Sequence, residues 1–104
     1  SMAISDATKN AIEVPMMIMD VCMKSYMLIK DMAKKGNPNS ISDAGVAALC
    51  ARAAVYGAYL NVKINCKDFN DSAYVIKTVT KANKWLTKSD KLEKEILKIV
   101  EKNL

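Results

Sequence analysis

Ser40-Ile41-Ser42-Asp43-Ala44-Gly45-Val46-Ala47-Ala48-Leu49-Cys50-Ala51-Arg52-Ala53-Ala54-Val55-Tyr56-Gly57-Ala58-Tyr59-Leu60-Asn61-Val62-Lys63-Ile64-Asn65 is the stretch that decides the fold. Its small residues, Gly45, Ala47, Ala48, Ala51, Ala53, Ala54, Gly57 and Ala58, face several directions around a helix, so neighbouring backbones can come close. The stretch predicts one helix of about 24 residues, roughly 36 Å long at 1.5 Å per residue, at the centre of the molecule. Its start falls at Ser40 or Ser42. Ser40 and Asp43 have the reciprocal spacing of a capping box, and Ser42 is the alternative cap.

Toward the N-terminus, from about Ser5 to Lys35, Ile12, Met16, Met19, Met23 and Tyr26 recur at steps of three or four, which predicts a long first helix. Pro15 lacks a backbone donor and crowds the preceding turn, so a kink or restart is predicted near Ile12 to Pro15. Between Ile12 and Met23 only Glu13 and Asp20 are polar, and a segment apolar nearly all round needs more than one neighbour. Met16, Met17, Met19 and Met23 read as core filler. Gly36 suits the left-handed end of this helix, after the dipole-compatible Lys34 and Lys35, and Pro38 prevents continuation.

Toward the C-terminus, Asn70 is predicted to cap a third helix with apolar positions Ala73, Ile76, Val79, Ala82 and Leu86. Leu92, Ile96, Ile99 and Val100 form a further row. The step from Leu86 to Leu92 fits no helical repeat, which predicts either a break capped by Ser89 or a rotated continuation. Lysines from Lys77 to Lys102, interleaved with Glu93, Glu95 and Glu101, read as a solvated face. The predicted fold is all-α: an antiparallel helical bundle around a long Ala/Gly-rich central helix, with residues 1–104 as a single helical domain.

Composition narrows the function. The chain has no histidine, which excludes Ser-His-Asp, Cys-His and His-metal constellations within it. Cys22, Cys50 and Cys66 have no C-x-x-C spacing and lie in apolar helical stretches, so they read as reduced core thiols of a cytoplasmic protein, with no metal. The net charge of +5 is spread along the chain with a single arginine, unlike the clustered charge of a nucleic-acid binder. The two apolar stretches are interrupted by Glu13, Pro15 and Asp20, and by Arg52, Asn61 and Lys63, which argues against a membrane span.

The segments Gly36-Asn37-Pro38-Asn39-Ser40-Ile41-Ser42-Asp43-Ala44-Gly45-Val46-Ala47-Ala48 and Gly57-Ala58-Tyr59-Leu60-Asn61-Val62-Lys63-Ile64-Asn65, with Ala11-Ile12-Glu13-Val14-Pro15, resemble the formiminotransferase-cyclodeaminase C-terminal domain family. That family includes formimidoyltetrahydrofolate cyclodeaminases and methenyltetrahydrofolate cyclohydrolases. The resemblance implies an all-helical subunit that forms a homodimer or higher homo-oligomer and acts on a tetrahydrofolate derivative, polyglutamylated or not. It also implies that this chain corresponds to the C-terminal half of such a domain. A non-catalytic helical assembly module of the same fold is the alternative.

Closing a formimino group onto N10 requires a proton for departing ammonia, and opening a methenyl bridge requires an activated water, so both reactions use a positioned acid or base. Asp43 is the catalytic candidate; equally, it reads as a first-turn carboxylate stabilised by the helix dipole. Ser42 is a cap and a substrate-binding candidate, since helix-start amides also receive carboxylates. Asn61 and Asn65, four apart on one face, suit either an interhelical hydrogen bond or a pterin contact. Asn37 is a weaker substrate-binding candidate beside its evident role as a turn residue. Arg52, Tyr56 and Tyr59 fit a pocket wall, or helix packing and an ion pair.

Overall fold

The computed structural model describes residues 2–104, and Ser1 lies outside them. Three helices follow in order: α1 (Met2–Lys35), α2 (Ile41–Cys66) and α3 (Ser72–Lys102). Each spans most of a molecule measuring 56 × 19 × 16 Å, and residues 36–40 and 67–71 are too short to return along it, so consecutive helices run antiparallel. All three pairs pack together, with α1 against α3 the slightest contact.

The α1 row is as its spacing predicts. Ile12, Met19 and Tyr26 are fully buried, Met16 and Met23 partly so, and Ile29 and Ala33 extend the row to the helix end. Gly36 takes a φ of +64° and donates its amide to the Ala33 carbonyl, ending α1 as expected. Met17 corrects the reading of the methionines as core, because it lies on the opposite face and is 67% exposed.

Pro15 neither ends nor restarts α1, which continues across it. The Ala11 carbonyl, four residues earlier, loses only its intrahelical donor. That carbonyl accepts instead from the side-chain amide of Asn65 on α2, at 3.2 Å.

Helix α2 begins one residue after Ser40, but Ser40 makes no side-chain cap bond. Its backbone, at φ −127° and ψ 2°, is outside the extended region from which a cap hydroxyl reaches the first free amides, and Oγ donates instead to the Asn37 carbonyl. The capping box is therefore absent on the Ser40 side.

Helix α3 is capped by Asp71 rather than Asn70, through the Tyr74 amide at 3.0 Å. It has no break at residue 89. Ser89 is fully buried between Ala82 and Leu92 and shares a short hydrogen bond with the Tyr26 hydroxyl on α1. The missing member of the α3 row is thus a serine. Ala73 and Ile76 point to solvent, and the buried face of the first turns passes through Val75, Thr78 and Val79.

Candidate functional site

Ser42 and Asp43 occupy the first turn of α2, and both are exposed. Helical geometry leaves the first amides of that turn without intrahelical acceptors, so the corner offers a carboxylate, a hydroxyl and N–H donors to solvent. Asn37, in the preceding turn, is also exposed. Its side chain accepts from the Asn39 amide at 3.0 Å, a local turn bond.

At the other end of α2, Asn65 is half-buried and donates to two carbonyls, Ala11 at 3.2 Å and Asn61 at 2.9 Å. Asn65 thus makes the interhelical bond. Asn61 is exposed. Asp43 and Asn61 are separated along α2 by about 27 Å and Asp43 and Asn65 by about 33 Å, at 1.5 Å per residue. One copy of the chain therefore does not bring the Ser42–Asp43 corner and the asparagines together.

Arg52 and the tyrosines form packing contacts. The Arg52 guanidinium stands 5.2 Å from the Tyr56 ring centroid and 3.7 Å from Asp90 Oδ1, while its buried Nη1 has no hydrogen-bond partner among the described residues. The Tyr56 and Tyr59 rings meet edge to face at 6.0 Å.

Cys66 is buried and Cys22 half-buried, and burial pushes both thiols above their ordinary pKa, away from nucleophilic chemistry. Cys50 corrects the reading of all three as core thiols: it lies on the outer face of α2 and is exposed. Among the described residues no three His, Cys, Asp or Glu side chains converge as metal ligands.

The sequence reading missed a groove of about 790 Å³ between the end of α2 and the start of α3. Leu60, Ile64, Val75, Ile76 and Val79 line it, and Lys63 and Lys67 supply cations. Its size is typical of small-molecule clefts. Separate helix rows carried no signal for it, because it arises only where the two rows meet.

Among the described residues one helix, α2, is long and apolar enough to cross a membrane by length and composition. Core helices of soluble proteins meet the same test. Much of the outer surface of α1 and α2 is apolar, with Val14, Val21, Leu28, Val46, Leu60 and Ile64 all more than half exposed.

Three antiparallel helices with a small-residue central helix and an acidic first turn define a helical bundle whose outer apolar faces lie open. The chain belongs to the formiminotransferase-cyclodeaminase family, whose model it matches over residues 1–84. It is 37% identical over 97 residues to a methenyltetrahydrofolate cyclohydrolase of Methylorubrum extorquens, covering 93% of this chain and 47% of that protein. It is 33% identical over 76 residues to a formimidoyltransferase-cyclodeaminase of Rattus norvegicus, covering 73% of this chain and 14% of that one. A formimidoyltransferase-cyclodeaminase of Dictyostelium discoideum is 32% identical over 98 residues, covering 94% and 18%. The chain thus spans about half the length of the cyclohydrolase and under a fifth of the other two.

Proposed function

We propose that this chain is part of a folate one-carbon enzyme, a formimidoyltetrahydrofolate cyclodeaminase or methenyltetrahydrofolate cyclohydrolase, in which Asp43 is the acid/base. The observation that carries this reading is the 37% identity to a methenyltetrahydrofolate cyclohydrolase over nearly the whole chain. Asp43 sits where such a group is useful: exposed, in the first turn of a long helix.

As a general base the Asp43 carboxylate takes a proton from the water that opens a methenyl bridge. As a general acid it returns a proton to the departing nitrogen. The Ser42 hydroxyl and the first-turn amides receive folate carboxylates at the positive end of the helix dipole. Asn61 presents an amide that can both donate to and accept from a pterin edge. Asn37, which holds the turn that delivers Ser42, and Asn65, which ties the far end of α2 to α1, are the further substrate-binding residues of this reading. The subunit works as a homo-oligomer in the cytoplasm, without a metal.

A second reading, a helical assembly module without catalysis, is favoured by the distance between the two ends of α2 within one copy. Titration with 5,10-methenyltetrahydrofolate and its polyglutamates separates the two. Saturable binding that Asp43→Asn preserves, with turnover that Asp43→Asn abolishes, supports the enzyme. Absence of binding at millimolar ligand leaves the assembly module.

A further inference from the structure

Helix α3 carries a straight row of lysines. Lys77, Lys84, Lys88, Lys91, Lys98 and Lys102 follow at steps of seven, four, three, seven and four, and all are exposed. At 3.6 residues per turn they lie within about 80° of one another around the axis and span about 37 Å along it. The acids that alternate with them in sequence do not neutralise the row. Asp90 faces α2, 3.7 Å from Arg52, and also holds Lys94 at 3.1 Å. Glu93 is half-buried, and Glu101 points about 100° away from Lys102. Glu95 does stand in the row, but Lys30 of α1 pairs with it at 3.0 Å. That hydrogen bond, with the charges of Lys91 and Lys34 nearby, holds its carboxyl below the ordinary range.

Among the described residues none of the row's lysines forms an ion pair. A face that is merely solvated sets opposite charges four apart, as Lys24–Asp20 and Lys94–Asp90 do. Here Lys84 and Lys88, and Lys98 and Lys102, set like charges four apart, which costs helix stability. Nothing within the chain offsets that cost. A polyanion from outside does.

We infer that this row is a docking surface for inorganic polyphosphate, a linear chain of phosphates held along α3 by charge. An open depression of about 520 Å³ lies at its middle, where the Asn83 amide and the Thr87 hydroxyl stand beside Lys84, Lys88 and Lys91 as neutral donors. A dense phosphate chain carries condensed counterions whose release drives binding. Scattered carboxylates on an acidic protein form only exposed ion pairs, which contribute little. The row has no apolar member to enter a bilayer and no aromatic member to stack on bases. Trp85, beside it, is half-buried, and Lys81 covers its ring at 4.8 Å. A stiff duplex turns its strands away from a straight helix, whereas a flexible phosphate chain can follow every lysine. None of these lysines takes part in the proposed folate site.

Titration calorimetry of the whole chain with sodium polyphosphate tests this. Saturable binding is expected, with log K falling against log salt at a slope of about −4, from about 0.7 for each phosphate that a lysine of the row neutralises. A variant carrying Lys84→Gln, Lys88→Gln and Lys91→Gln should keep the helical circular dichroism of the parent, bind at least about tenfold more weakly and lose about 2 from that slope. A variant carrying Lys24→Gln, Lys63→Gln and Lys67→Gln, exposed lysines outside the row, removes the same net charge and should bind like the parent. Absence of polyphosphate binding overturns the inference, as do equal losses in the two variants, which would make net charge alone responsible. Poly-L-glutamate bound as tightly as polyphosphate overturns it in favour of a carboxylate partner, and poly(U) bound as tightly overturns it in favour of nucleic acid.

Discussion

Asn65 supplies Ala11 with the hydrogen bond that Pro15 withholds. The amide of residue 15 would ordinarily donate to the carbonyl of residue 11, but proline has none, and Asn65 Nδ2 stands 3.2 Å from that oxygen. One side chain of α2 thereby repairs the α1 ladder and ties the two helices at a fixed level.

Asn65→Leu should therefore destabilise the fold by about 1 kcal/mol in urea unfolding, the usual net value of such a bond. The same substitution should cost less in a Pro15→Ala background, where residue 15 has an amide of its own. An interaction energy of about 0.5 kcal/mol or more in that double-mutant cycle is expected. Strict additivity would separate Asn65 from the proline.

Tyr26 and Ser89 satisfy each other inside the core, both fully buried. Removing one hydroxyl strands the other, so Tyr26→Phe alone should cost about 1–3 kcal/mol. With Ser89→Ala added, much of that loss should return, because no polar group then remains without a partner. Thermal unfolding of the three variants measures this directly.

Burial raises the pKa of Tyr26 and of the thiols Cys22 and Cys66 above their ordinary values. A native state that holds these protons more tightly than the unfolded chain is fully stabilised below the unfolded pKa and loses that advantage as pH rises through the folded value. The melting temperature should start to fall above about pH 9, the ordinary thiol value, and fall further above pH 10 as tyrosine titrates. Tyr26→Phe should flatten the upper part of that decline. Glu95 acts in the opposite window: its hydrogen bond to Lys30 lowers its pKa, so its contribution is present above the ordinary carboxylate pKa and is lost as pH falls through the lowered value.

The helix count, the end of α1 and most of its buried face were legible because apolar spacing and the Gly36–Pro38 punctuation speak directly about local backbone. Ser89 was not. A polar residue in a core row is invisible to apolar periodicity until its partner, 63 positions away, is known. Asn70 and Asp71 both carry a capping oxygen, and only the backbone decided between them. Met17 and Cys50 lie outward because three helices cover only part of the apolar surface this chain carries. At the candidate site, the positions of Ser42 and Asp43 in the first turn were readable. Their distance from Asn61 follows from helix length, and the bundle has no fold-back that closes it.

Turnover of 5,10-methenyltetrahydrofolate by the parent, by Asp43→Asn and by Asn61→Leu tests the central claim most directly. The parent should turn over, and each variant alone should lose about a hundredfold or more, the scale of a lost acid/base or positioning group. Variants as active as the parent would contradict a folate site built on Asp43 and Asn61.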